Sequence, residues 1–192
     1  AYTASLPGLT HAESVELNPF TSQYLMTIPS LSLADFRSIR MDFDDTKKCW
    51  EVVPARPGWY AIETDAPLAA LADFPLPKEE GEHYRIAKRL EDVAFLISQG
   101  VAIVPAQAGE MYVAYSGEHG DLKSRARQHI CGHKGTGCLS LRQYELAHQY
   151  SWTFYYRLCE EHLPGSGGNK MLRNYLEQKW RGENGWPVLC SR

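Results

Sequence analysis

No apolar run in this chain approaches the roughly 20 residues that a membrane-spanning helix requires, so no helical span is expected. No basic stretch followed by an apolar one opens it. The start "AYTASLPGLTHAES" therefore predicts no secretory signal there. An initiator Met is missing too, as expected of a processed or trimmed piece of something longer. Internal repeats, low-complexity tracts and C-x-x-C knuckles are absent. Cysteine is limited to Cys49, Cys131, Cys138, Cys159 and Cys190, an odd number in a chain too long to need disulfide staples. Reduced thiols in a cytoplasmic setting are the expectation.

An excess of one charge is lacking as well: the net charge is −3, which by itself argues against a polyanionic partner. Its distribution reverses that. From Tyr112 onward there are 11 Lys and Arg against 7 Asp and Glu, whereas the first 111 residues hold 9 against 16. A basic C-terminal part is where DNA would bind. The 192 residues fit one domain with decorations. Their 44% hydrophobic content suffices for a sizeable core.

Residues 1–50 mix loop signals ("LPG", "NPF", "IPS") with "LADFRSIRMDF", and no element is assigned there. "CWEVVPARPGWYAIET" reads as β-rich. "EEGEHYRIAKRLEDVAFLISQG" predicts an amphipathic helix with Tyr84, Ala87, Leu90, Ala94 and Ile97 on its apolar face. "VAIVP" and "MYVAYSG" are short strand candidates. "DLKSRARQHI" predicts a helix capped by Asp121, with Leu122, Ala126 and Ile130 as its apolar stripe. Arg125 and His129 lie on the adjacent stripe, between buried and wet. "LSLRQYELAHQY" predicts another helix. "SWTFYYRLCE" predicts a strand with Trp152, Phe154 and Tyr156 on one face. "NKMLRNYLEQKW" predicts a helix capped by Asn169, its apolar face Met171, Leu172, Tyr175, Leu176 and Trp180. This order predicts a compact α/β or α+β fold with helices against a sheet.

Two strands thus present tyrosines, Tyr60 and Tyr112; one helix presents Arg125 and His129, and a later helix Glu177. The set suits metal-assisted cleavage of a phosphodiester. One carboxylate holds a divalent cation that keeps several waters and a substrate phosphate oxygen. The cation and an Arg stabilise transition-state charge. A Tyr or His takes a proton from the attacking water. A Tyr needs nearby positive charge for this, because its ordinary pKa is ~10.

Order and spacing resemble the GIY-YIG nuclease family. "GWY" (Gly58, Trp59, Tyr60) resembles its first signature tripeptide and "YVA" (Tyr112, Val113, Ala114) the second. "LKSRARQH" resembles the Arg and His on the helix that follows, and "YLEQKW" the later helix with a single metal-binding Glu. The match covers residues 57–62 and 110–190. It implies an α+β core, a small antiparallel sheet of three strands flanked by helices. An N-terminal extension would occupy 1–56, and the nuclease domain 57–192 would carry a helical insertion at about 63–109. It further implies Tyr60 as general base or relay, Tyr112 as positioner of the water and Arg125 as phosphate clamp. His129 would accept a proton from Tyr60, and Glu177 would bind Mg²⁺ or Mn²⁺. The implied activity is metal-dependent endonucleolytic hydrolysis of DNA, serving restriction, repair or an antibacterial toxin. A toxin would be delivered into a target-cell cytoplasm and have an immunity protein as partner.

Three features depart from the family. The tripeptides stand far apart, Ala114 replaces the usual Gly, and Cys190 stands where an Asn is sought after Pro187. Asn184 is on the wrong side of that proline. Tyr115, in "YSG", rivals Tyr112. Glu177 could instead pair with Arg173, and the tyrosines could be ordinary half-buried strand residues. His129, Cys131, His133 and Cys138 in "HICGHKGTGC" have the residue types of a tetrahedral zinc site, at cramped spacing. Otherwise Lys123, Lys134 and Arg142 are candidates for backbone-phosphate contacts. The rival function is a non-catalytic nucleic-acid-binding or protein-interaction module on the same scaffold.

Overall fold

The computed structural model describes residues 28–44, 48–75, 85–106, 109–133, 135–166 and 168–190. The chain divides into two compact units, 1–30 and 31–192, and the fold is that of the second. Strands β1 (Arg37–Arg40), β2 (Gly58–Thr64), β3 (Tyr112–His119) and β4 (Trp152–Leu158) make one antiparallel sheet in the order β1-β4-β2-β3. The described α-helices are α1 (Leu68–Ala72), α2 (Ile86–Ser98), α3 (Leu122–Cys131), α4 (Cys159–His162) and α5 (Lys170–Asn184). The class is α+β, but the sheet has four strands rather than three. Strand β1 carried no signal because Ile39 is its only apolar residue, and an edge strand need bury little. Its pairing with β4 brings part of the segment before residue 57 into the sheet, so the expected boundary at 56/57 falls inside the compact unit.

Strand β2 is the pivot. It lies between β4 and β3 and is buried along almost its whole length. Trp59 points to α5, where its Nε1 donates to the Arg173 carbonyl at 2.9 Å. Tyr60 points to α3, where Arg125 donates to its hydroxyl. Successive strand side chains take opposite faces, so α3 and α5 cover opposite sides of the sheet. Gly58 allows the close approach of these layers: a Cβ there would stand 2.1 Å from the Arg157 carbonyl oxygen and 2.6 Å from Leu122 Cδ1.

The β2–β3 register slips once. Ile62 is opposite Tyr115, yet Glu63 is opposite Val113, so Ala114 is an extra, bulged residue. A bulge resets the alternation of a strand. Tyr112, opposite Thr64, and Tyr115, opposite Ile62, therefore share the face that carries Tyr60. Thr64 and Tyr112 are themselves partners, so the ends of the long connection meet, as an insertion requires.

Within that connection α2 buries Ile86 and Val93, with Leu90 half-buried between them, while Ala94 and Ile97 are exposed. The packed stripe is thus one step away from the expected one; Tyr84 lies outside the described residues. "VAIVP" contributes only a bridge from Ile103 to Trp186. Residues Cys49–Val52 form a 3-10 turn rather than a strand. The helix expected in "LSLRQYELAHQY" is two 3-10 turns, Leu141–Gln143 and Glu145–Gln149. The buried face of α5 is Arg173, Leu176, Trp180 and Arg181, whereas Met171 is 80% and Tyr175 45% exposed. Among the described residues no helix is long and apolar enough to cross a membrane.

Candidate active site

Helix α3 is fixed at its start. Asp121 Oδ1 accepts the Ser124 amide at 2.9 Å, while the Leu122 and Lys123 amides donate to the carbonyls of Arg56 and Pro54. Three of the amides that a helix N-terminus leaves without intrahelical partners are thereby satisfied. Leu122, Ala126 and Ile130 are fully buried against the sheet. That seating turns the neighbouring stripe inward as well. Arg125 and His129 are buried, not at the boundary with water.

Both meet Tyr60. Arg125 Nε donates to Tyr60 Oη at 2.9 Å, and His129 Nε2 lies 3.2 Å from the same oxygen. The Tyr60 ring stacks on Phe154, centroids 5.3 Å apart, and crosses β3 at Gly117. A Cβ at Gly117 would stand 2.3 Å from Tyr60 Oη, so only glycine leaves room for that ring.

The proton on His129 follows from its second nitrogen. The Leu139 amide donates to Nδ1 at 3.2 Å, so Nδ1 is an acceptor. A neutral imidazole has one N–H, which therefore sits on Nε2 and donates to Tyr60. Burial, then the charge of Arg125, then His119, hold His129 well below its ordinary pKa and keep it neutral. In this arrangement His129 stands toward Tyr60 as a donor, whereas the resemblance implies an acceptor of the Tyr60 proton.

Tyr115, not Tyr112, completes the group. Arg125 Nη2 donates to Tyr115 Oη at 3.3 Å, and the Tyr115 ring lies 4.8 Å from that of His129. Tyr112 instead donates its hydroxyl to the Ala66 carbonyl at 2.7 Å, at the mouth of the insertion. Tyr115, Ser116 and Gly117 are opposite Ile62, Ala61 and Tyr60 in turn.

Glu177 approaches from α5. It shares a small, mostly apolar cleft with Tyr60, Gly117, Trp59 and Trp180. It is ion-paired with Arg181 one turn on, whereas Arg173 pairs with Glu118, so the Arg173–Glu177 alternative is not realised. Arg181 also donates from Nε to Ser116 Oγ and from Nη2 to the Ser116 carbonyl, each at 3.0 Å. The Ser116 amide donates to Cys190 Sγ at 3.2 Å, so Cys190 does stand beside the site.

The electrostatics couple the two sides of the sheet. Burial raises the Glu177 carboxyl above its ordinary range; Arg181 opposes this most, Glu118 adds to it, and Arg125 opposes it. Burial likewise lifts the Tyr60 phenol well above 10, Tyr115 adds, and Arg125 works against both.

Among the described residues no group of three or more His, Cys, Asp and Glu could hold a metal ion. In this structure His129 is not free to join a zinc set, because both its nitrogens are engaged inside the protein. Glu177 offers one hard carboxylate, which fits a Mg²⁺- or Mn²⁺-type cation that keeps waters and substrate oxygens as its other ligands. Lys123 pairs with Glu51 and lines a different cleft with Lys48, Trp50 and Arg127. Arg142 sits in a 3-10 turn apart from the Tyr60 cleft, and Lys134 lies outside the described residues.

Reading the sequence did not single out Gly117, Glu118 or Arg181. The "YSG" string and the Glu177–Arg181 spacing were the available signals. No protein-family model, curated protein or solved structure matches the chain.

Proposed function

We propose that this protein is a metal-dependent endonuclease that hydrolyses DNA phosphodiester bonds with a GIY-YIG-like site. The observation that carries the reading is the Tyr60 hydroxyl held at once by Arg125 and His129. Those two come from the helix that directly follows Tyr115-Ser116-Gly117. That tripeptide is opposite Tyr60-Ala61-Ile62, with Gly117 facing Tyr60, and it offers the resemblance a Gly where Ala114 had been a departure.

A divalent cation bound through Glu177 would polarise the phosphate oxygens and lower the pKa of a bound water. The protein's own groups do the rest. Tyr60 serves as the base in its ionised form, its phenolic proton having gone to bulk solvent. Its Oη then takes the proton of the attacking water, and the Arg125 and His129 N–H groups favour that anion by donating to it, against the burial that opposes it. The Nη2 side of Arg125 bears on the phosphate, where negative charge grows in the transition state. Tyr115 orients the water. DNA as partner and Mg²⁺ or Mn²⁺ as cofactor belong to the same proposal. A cytoplasmic place of action, or a toxin role with an immunity protein, is consistent with it.

The test is nicking of supercoiled plasmid with Mg²⁺ or Mn²⁺. Wild type is expected to nick. Glu177→Gln is expected to lose at least 100-fold in rate with unchanged DNA affinity and thermal midpoint. A second reading, a binding module on the same scaffold, is favoured by one observation: all the Arg125 donors already have acceptors within the protein. Wild type that never nicks with either metal, yet binds DNA, decides for that module.

A further inference from the structure

A guanidinium carries five N–H donors in a rigid fork. On Arg125 there are five acceptors for them. Nε donates to Tyr60, Nη1 to Gln128 Oε1 at 3.2 Å and to the Thr136 carbonyl at 2.8 Å. Nη2 donates to Tyr115 and to the Gly137 carbonyl at 3.5 Å. Three of these acceptors are side chains on β2, β3 and α3. The other two are main-chain carbonyls of a glycine-rich turn, and Tyr115 also donates to the Gly137 carbonyl at 3.4 Å.

We propose that residues 135–138 are a displaceable cap: their carbonyls occupy the donors of Arg125 that would otherwise take a phosphate oxyanion, and the anion binds by pushing the turn aside. This rests on the phosphate-clamp role proposed above for Arg125.

The turn is anchored at its base and loose at its tip. Cys138 and Leu139 are buried; Cys138 Sγ accepts the His133 amide, and the Leu139 amide is spent on His129. Gly135 and Gly137 are exposed, at φ +73° and +60°, with nothing within 4 Å of where a Cβ would stand. Apart from the bonds from Arg125 and Tyr115, the tip is tied by Thr136 Oγ1, which donates to the His133 carbonyl at 2.9 Å. The exchange favours an anion over a neutral ligand. A phosphate oxygen makes charge-assisted bonds to a guanidinium, and the carbonyls it replaces make neutral-acceptor ones. The turn thus lowers the apparent affinity for phosphate in proportion to the fraction of molecules in which it is closed.

Two substitutions weaken the closed turn without touching Arg125. Gly137→Ala strains the left-handed backbone there, which shifts the closed–open balance roughly fivefold to thirtyfold. Thr136→Ala removes the tie and leaves the carbonyl in place. The probes are inorganic phosphate and a short DNA duplex, titrated into the full chain with Ca²⁺ in place of Mg²⁺. Both variants are expected to bind both probes at least fivefold more tightly than wild type, and the gain is expected to vanish when Arg125→Ala is added. Affinity unchanged or weaker in variants of native thermal midpoint overturns the cap, as does wild type and variants alike failing to bind. Should Gly137→Ala not fold, Thr136→Ala, a change at the partly exposed tip, decides alone. Nicking is read separately. Tighter binding without nicking retains the cap and removes the nuclease; nicking with unchanged binding does the reverse.

Discussion

Two N–H donors converge on the oxygen of Tyr60, and both are oriented from behind. Gln128 and Tyr115 accept from Arg125 in addition to the carbonyls of the turn, and the Leu139 amide donates to His129. Burial opposes ionisation of Tyr60, and Arg125 works against that; His129 adds a second N–H to the same oxygen. The two tyrosines of β3 then separate by role. Tyr115→Phe is expected to lower the nicking rate at least tenfold with little change in stability. Tyr112→Phe is expected to leave the rate alone and cost about 1–2 kcal/mol, the usual loss for a buried hydrogen bond. Rates and urea midpoints of the two variants check this. Glu177 gives a pH signature. Its folded-state pKa is raised, so over the window just above the ordinary carboxyl range the native state holds a proton that the unfolded chain has lost. Stability must fall as pH rises through that window, and Mn²⁺ affinity must rise as the proton leaves. Urea melts and calorimetric Mn²⁺ titrations across the acid range are expected to show both trends in wild type. Glu177→Gln is expected to show neither.

At the scale of elements, helix α3 was the most legible part of the sequence. Its cap, its apolar stripe and the Arg125–His129 pair are all local features, written within ten residues. Asp121→Ala is expected to lower stability by about 1 kcal/mol, read as a lower urea midpoint at unchanged slope. It is also expected to reduce activity, because Arg125 hangs from that first turn. Helix α5 was less legible. Its cap at Asn169 was readable, but its buried face was not, because two of the residues it buries are arginines. Hydropathy places arginine outside; here Glu118, Glu177 and Ser116 accept from Arg173 and Arg181 and let them in. The choice between Tyr112 and Tyr115 turned on the bulge at Ala114. Nothing in the string "YVAYSG" marks that slip, because a bulge is set by what the partner strand needs.

Over the whole molecule, the sheet brings side chains from four distant segments to one place, and the two helices bearing on it lie on opposite faces. The C-terminal run closes the edge: Leu189 donates its amide to Ala114, and Cys190 packs on Ser116. That long-range closure was invisible in the sequence, as was edge strand β1, because neither carries a local period. The mixed class and the order of the central elements were visible, since hydrophobic alternation in β4 and helical periodicity are local. The measurement that bears most directly on the site is single-turnover cleavage of a DNA duplex with Mn²⁺ alongside its dissociation constant, for wild type and Arg125→Ala. Charge on the phosphate is greater in the transition state than in the ground state. The expected result is therefore a rate loss of about 100-fold or more with affinity weakened by less than tenfold. Equal losses in rate and affinity, or no Mn²⁺-dependent cleavage by wild type, would contradict a phosphodiesterase built around Tyr60 and Arg125.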